Sequence, residues 1–229
     1  MENPEEQIIQ KLSTKSVMKQ EVYQKTYETF QLLKKVAKEI ADDVRKKMSS
    51  INKNISIDFS DKGEFQSDLK VAGDLLILTQ HTNVFEFPKS HEVLKTSYIM
   101  DDPSRSYCGV IFMYNFLADS FKYSRINDSG YLVARLFINK EMHFMVEGKR
   151  QVGFFYNSFS NEPINKEDIK KILSSAINYC IDFDLLTPPY DTVKELSVME
   201  IQDNNNCMNI KTGKRLGFRF QADHDKITS

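Results

Sequence analysis

Five charged residues, Asp119, Lys122, Arg125, Asp128 and Arg135, fall close together in the chain, with Tyr114, Phe121, Tyr123 and Tyr131 interleaved among them. A guanidinium fork or an ammonium can hold an anion by charge-assisted hydrogen bonds, and aromatic faces can stack on a flat ring. The expected ligand-binding set is therefore Asp119, Lys122, Arg125, Arg135, Tyr114 and Tyr131. The expected ligand is small and either anionic or planar. The competing reading is a set of surface ion pairs whose aromatic neighbours cap the core.

Glu147-Gly148-Lys149 is similar to the Glu-x-Lys element of metal-dependent nucleases of the restriction-enzyme type. The resemblance implies two carboxylates on a Mg²⁺ ion and an ammonium beside the attacking water, with Asp119 or Asp128 as the upstream acid. In that element the middle residue is usually apolar and lies inside a strand. Here it is Gly148, and Lys149-Arg150-Gln151 follows, so the run reads as a hairpin turn. His81, His91, His143 and His224 include no pair at i, i+4 spacing; His91-Glu92 and Asp101-Asp102 share one polar stretch. There is no Gly-x-Ser-x-Gly elbow, phosphate loop or dinucleotide fingerprint. Gly213-Lys214-Arg215, with Lys211 and Arg219, is a small basic patch that reads as solvated.

These residues need a scaffold, and Tyr107 to Asp119 is its centre. Cys108, Val110, Phe112, Tyr114 and Phe116 alternate with Ile111, Met113 and Leu117. A strand apolar on both sides lies mid-sheet with both faces covered. Tyr131–Ile138, Glu141–Glu147 and Gln151–Asn157 continue it as a meander. Within it Met142, Phe144 and Val146 point one way; Glu141, His143, Met145 and Glu147 point the other. Upstream, strands are expected at Ile55–Phe59, at Glu64–Val71 after an Asp61-Lys62-Gly63 turn, at Asp74–Thr79 after Ala72-Gly73, and at His81–Phe87. Residues 88–105, with a short strand near Tyr98, form the longest irregular connection, and long connections are where function concentrates. Val110, Phe112, Leu132, Leu136, Phe144 and Phe154 are placed on one sheet face. Ile111, Met113, Val133, Phe137, Met145 and Phe155 are placed on the other.

Two helices complete the scaffold. From Ser16 to Ser50, Tyr23, Tyr27, Phe30, Leu33, Ala37, Ile40, Val44 and Met48 recur at steps of three or four. Such a helix is about 50 Å long, so it overhangs the sheet or breaks near Gln20. Between Lys11 and Lys53 eleven basic and five acidic residues leave a charge of +6, read as a solvated face because no aromatics interleave with it. The second helix, near residues 165–183, starts at a capping box of Asn165 and Asp168, and Thr187-Pro188-Pro189 ends the region. A last strand is expected at Val193–Ile201, and Phe218 and Phe220 alternate in the tail. If both helices share one face, the other must close on a ligand, a partner subunit or the long connection.

The chain has 229 residues and a net charge of −1, so no overall field draws in nucleic acid. The three cysteines, Cys108, Cys180 and Cys207, show no paired spacing, which predicts a reduced cytoplasmic protein. No apolar run spans a membrane and the start is no signal peptide. The expected architecture is α+β: a twisted, mostly antiparallel sheet of about six to eight strands under two helices. Residues 1–15 are a frayed start and 16–229 one domain. The expected function is a binding or interaction module without catalysis and without a cofactor, its partner a small ligand or a protein. The alternatives are a phosphodiesterase or nuclease built on Asp119 and Glu147, and a structural subunit of a homodimer.

Overall fold

The computed structural model describes residues 3–148, 159–199 and 201. The expected strand 151–157, the residues Phe154 and Phe155, Lys149, Cys207 and the tail patch lie outside them. The fold is α+β, with an open seven-stranded antiparallel sheet. Its strands are β1 (Ile57–Asp61), β2 (Gln66–Val71), β3 (Asp74–Gln80), β4 (Phe85–Glu86), β5 (Tyr107–Leu117), β6 (Tyr131–Ile138) and β7 (Phe144–Gly148). The order is β1-β2-β3-β5-β6-β7, and β4 pairs with β5 beyond the end of β3. The strand apolar on both sides is thus interior, with Ile111 and Met113 fully buried.

Helix formation starts earlier than the apolar pattern predicts. α1 (Pro4–Lys11) is capped by Asn3, whose side chain accepts the Glu5 N–H at 3.2 Å, and Pro4 sits where its missing N–H costs nothing. So residues 4–15 are helical rather than frayed, although none of α1 is buried. A π-helical turn at Leu12–Ser16 joins it to α2 (Val17–Met48). The overhang is real, and the irregularity falls just before Gln20. Burial begins at Val22 and follows Thr26, Phe30, Leu33, Ala37 and Ala41. Small residues lead this line. The sequence stripe through Tyr23 and Tyr27 is therefore one residue off at its start. One member of the basic face is not solvated: Lys34 is buried, pairs with Asp61 at 2.6 Å and donates to the Gly63 carbonyl at 2.8 Å.

α3 (Ser97–Asp101) and α4 (Ala118–Lys122) are short. α5 (Lys166–Ile181) begins at the expected capping box, where Asn165 accepts from the Glu167 and Asp168 N–H groups and Asp168 accepts from Asn165. Tyr190–Val193 forms α6, and Val198 and Met199 are also helical, so the strand expected at Val193–Ile201 is replaced by helical turns after Pro189. The strand expected near Tyr98 is α3. The strand expected at His81–Phe87 shrinks to Phe85–Glu86: the Asn83 N–H turns back onto His81 Nδ1 at 3.0 Å, and Pro88 ends the ladder.

α2 and α5 both pack on the same face of the sheet. Their shared core includes Phe30, Leu33, Leu69, Leu78, Ile111, Met113, Leu136, Val146, Ile169 and Leu173. A bulge at Val133 sets the register: Met113 faces Ala134 while Tyr114 faces Leu132. Phe112 therefore lies opposite Arg135, and Arg135 opposite Glu147. Leu136 and Phe144 join Ile111 under the helices, whereas Phe137 and Met145 join Val110 on the second face. The two apolar sets expected from sequence are exchanged at those four positions. The second face carries its own smaller core: Phe87, Val93, Ile99, Cys108, Val110, Phe137, Met145 and Phe159. Residues 87–99 of the long connection supply its lid.

Candidate functional site

The connection 81–106 covers only part of the second face, and a pocket of about 270 Å³ opens where it stops. β5 forms the floor with Cys108, Val110 and Phe112. Phe137 and Arg135 of β6 and Glu147 of β7 continue it sideways. The wall is the run Phe85 to Pro88 with His91. Each floor residue is aimed by strand alternation, and the wall is held by aromatic contact. Phe87 lies 5.0 Å from Phe137, 4.7 Å from His91 and 6.3 Å from Phe159, centroid to centroid.

The polar end of the pocket is a three-residue chain. Arg135 Nε and Nη2 both donate to Glu147 Oε2 at 2.5 Å, and the Arg135 guanidinium lies 5.2 Å from the Phe137 ring centroid. His91 Nδ1 accepts the Val93 N–H at 3.2 Å, so a neutral ring carries its proton on Nε2 and donates it to Glu147 Oε1 at 3.3 Å. Both nitrogens of His91 are occupied, which leaves no lone pair for general-base work. Cys108 is buried, and that burial pushes its thiol far up, away from a reactive thiolate. Glu86 also lies along the pocket rim, on β4.

A polar lock holds the far end of the connection. Tyr98 donates to Glu141 Oε2 at 2.8 Å, Arg105 Nε donates to Glu141 Oε1 at 2.9 Å, and fully buried Asn139 donates to the Tyr98 oxygen at 2.8 Å. The Tyr98 ring stacks on His143 at 5.2 Å. Burial pushes the Tyr98 phenol up. Burial also acts to raise the Glu141 carboxyl, but the Tyr98 and Arg105 hydrogen bonds outweigh it and hold that carboxyl low. Asp102 accepts from Lys140 at 2.6 Å and from Ser104, and these contacts hold its carboxyl well below the usual range.

Of the six residues expected to bind ligand, Arg135 lines the pocket. Tyr114 is the next residue outward on the same face, stacked on Phe112 at 5.8 Å. Asp119 and Lys122 lie on α4, and Lys122 sits over the Tyr123 ring at 4.9 Å. Arg125 is buried and forms an ion pair with Asp128 at 2.9 Å, while Ser120 donates to Asp128 at 2.6 Å. Tyr131 packs against Phe183, on the helix side. Nor are Asp119 and Glu147 brought together. Glu147 is level with Phe112, and the five strand steps from there to Leu117 alone span about 17 Å. Among the described residues no three His, Cys, Asp or Glu side chains converge on a metal position.

Phe85, Phe87, His91 and Glu147 were missing from the expected set. Two signals pointed to the place: the long connection, and single charges inside apolar strands, Arg135 in Tyr131–Ile138 and Glu147 in Phe144–Gly148. No family model, curated protein or solved structure matches this chain.

Proposed function

We propose that this protein is a binding module that holds a small planar ligand in the second-face pocket. The observation that carries this reading is the pairing of a phenylalanine-rich cleft with a polar chain whose histidine has both nitrogens engaged. Such a site orients a ligand, and neither its histidine nor its buried thiol is free to act as base or nucleophile. The size, about 270 Å³, fits a small molecule.

The chain contains no tryptophan, so Phe85→Trp at the rim gives a single emission to follow. Uracil, benzamide and phenol serve as flat single-ring probes. At least one shifts that emission with a dissociation constant on the order of 1 mM or tighter. Amide chemical-shift changes in the unsubstituted protein fall on residues 85–91, 108–112 and 135. No emission change with any probe, or shifts scattered over the surface, removes the pocket as a site.

A further inference from the structure

We infer that this chain forms a two-fold dimer in which the acidic, apolar segment after α5 of one copy docks on the helical overhang of the other, and the reverse. The contact is separate from the pocket.

Exposed apolar surface is concentrated in these two places. Of the 21 large apolar side chains exposed among the described residues, four lie on the overhang and eight between Leu185 and Ile201. Single exposed residues are ordinary, whereas clusters mark contact surfaces. On the overhang Ile8, Ile9, Leu12 and Val17 are 49–64% exposed, and no residue of α1 is buried. The π-helical turn keeps this line unbroken: the Val17 N–H donates to the Leu12 carbonyl five residues back, which sets Val17 above Leu12. In the segment, Leu186, Val198 and Met199 are 70–72% exposed.

Charge decides which surface meets which. Residues 7–20 carry Lys11, Lys15 and Lys19 and no acid, a charge of +3. Ile8 and Lys11 are three residues apart, as are Leu12 and Lys15, so lysines border the apolar line on one side. Glu5 and Glu6 precede the line, in the first turn of α1. Residues 182–199 carry Asp182, Asp184, Asp191 and Glu195 against Lys194, which leaves −3. An antiparallel two-fold pair of overhangs sets one lysine border against the other, and two segments repel outright. An overhang and a segment cancel.

The layout calls for a second copy. Lys15 and Lys19 reach over the Tyr107 ring at 5.5 and 5.7 Å, which fixes the overhang at the start of β5. The segment leaves from Phe183, which packs on Tyr131, and Tyr131 pairs with Asn115 near the end of β5. The eight strand steps between Tyr107 and Asn115 span about 26 Å. From Phe183 to Tyr190 the chain covers at most about 25 Å fully extended, so α6 stops short of its own overhang, which projects past Tyr107. A copy turned end for end brings each overhang beside the other's segment, and the reciprocal contact closes the assembly at two.

Sedimentation equilibrium of the full chain tests this. At concentrations of about 50 µM the mass is twice 26.6 kDa. Raising the salt from about 0.05 to 0.5 M weakens the dimer at least threefold. The overhang variant Ile9→Asp with Leu12→Asp and the segment variant Val198→Asp with Met199→Asp are each monomeric, with urea midpoints that confirm folding. Mixed in equal amounts at higher concentration, the two variants associate through the one contact that still joins an intact overhang to an intact segment. A monomeric parent, which docking of the segment on its own chain would also give, overturns the proposal. So does a dimer that survives either variant: survival in the segment variant means overhang on overhang, and survival in the overhang variant means segment on segment. A mixture that stays monomeric overturns it as well.

Discussion

Replacing Gly109 by alanine places a methyl group directly against α2. The new Cβ would lie 2.0 Å from Thr26 Oγ1 and 2.7 Å from both Thr26 Cβ and Cγ2. Thr26 cannot step aside: it is buried, β-branched, and tied by its hydroxyl to the Val22 carbonyl at 2.7 Å. Helix and strand must therefore separate, which loosens the contacts of Phe30 and Leu33 with Ile111. Overpacking typically costs about 1–3 kcal/mol, and anchored atoms put this case at the upper end, about 3 kcal/mol. With a urea m-value of about 2–3 kcal/mol/M, the midpoint falls by about 1–1.5 M. Thr26→Ala is only a partial rescue, because its Cβ stays at 2.7 Å. Thr26→Gly removes all three atoms at about 1 kcal/mol of helix propensity plus lost packing. The double variant Gly109→Ala, Thr26→Gly is thus more stable than the sum of the singles by about 2 kcal/mol. A Gly109→Ala protein within about 0.5 kcal/mol of the parent would refute the close seating of α2 on β5.

Two further outcomes follow from buried or locked charges. Asp128→Asn strips the counter-charge from buried Arg125 and costs about 3 kcal/mol in urea unfolding; a loss under about 0.5 kcal/mol would return Arg125 to the ligand-binding candidates. Asp102, Asp61 and Glu141 all have carboxyls held below their ordinary values in the folded protein. Each releases its proton more readily folded than unfolded. Their stabilisation is complete above about pH 5 and is lost as pH falls through the unfolded values near ~4 toward the lower folded ones. Urea midpoints therefore drop between about pH 5 and pH 3. Asp102→Asn flattens part of that slope, and an unchanged slope would mean that the Lys140 and Ser104 contacts do not persist in solution.

Much of the fold was readable because its signals are local. The capping box at Asn165, the Gly63 turn and the two-sided apolar run of β5 each act over a few residues, and each stands in the structure. The Asp61-Lys62-Gly63 turn works because Gly63 takes a φ of 112°, with its N–H donating to Asp61 at 3.1 Å. What failed was set by partners far along the chain. Which of Leu136 and Phe137 lies under the helices depends on one extra residue at Val133, and no pattern in β6 announces that bulge. The burial line of α2 begins at Val22 and Thr26 because Gly109 admits a close contact there, a fact held at the other end of the core. Arg125 is a local exception: its partners Asp128 and Ser120 lie within five residues, yet sequence shows the charges and not that they meet.

The pocket follows from an imbalance between the two faces. β5 has eleven residues, and β3 pairs with it only from Ile111 onward, so its first part needs another neighbour. β4 fills that edge for two residues, until Pro88 turns the chain across the second face. Both helices are already committed to the first face, so among the described residues this connection, with Phe159, covers what they do not. It covers the apolar rows, Val110 with Phe137 and Met145, and stops at the next row, where β6 and β7 present Arg135 and Glu147. Extending an apolar cover over that row would bury an ion pair, and desolvation can cancel its attraction. Leaving the row open instead keeps the pair wet, with His91 tethering the cover's edge to it. The same residues that end the cover therefore line the cleft beside it, which is why a charge inside an apolar strand was the better guide to this site than the cluster of charges at the strand's end.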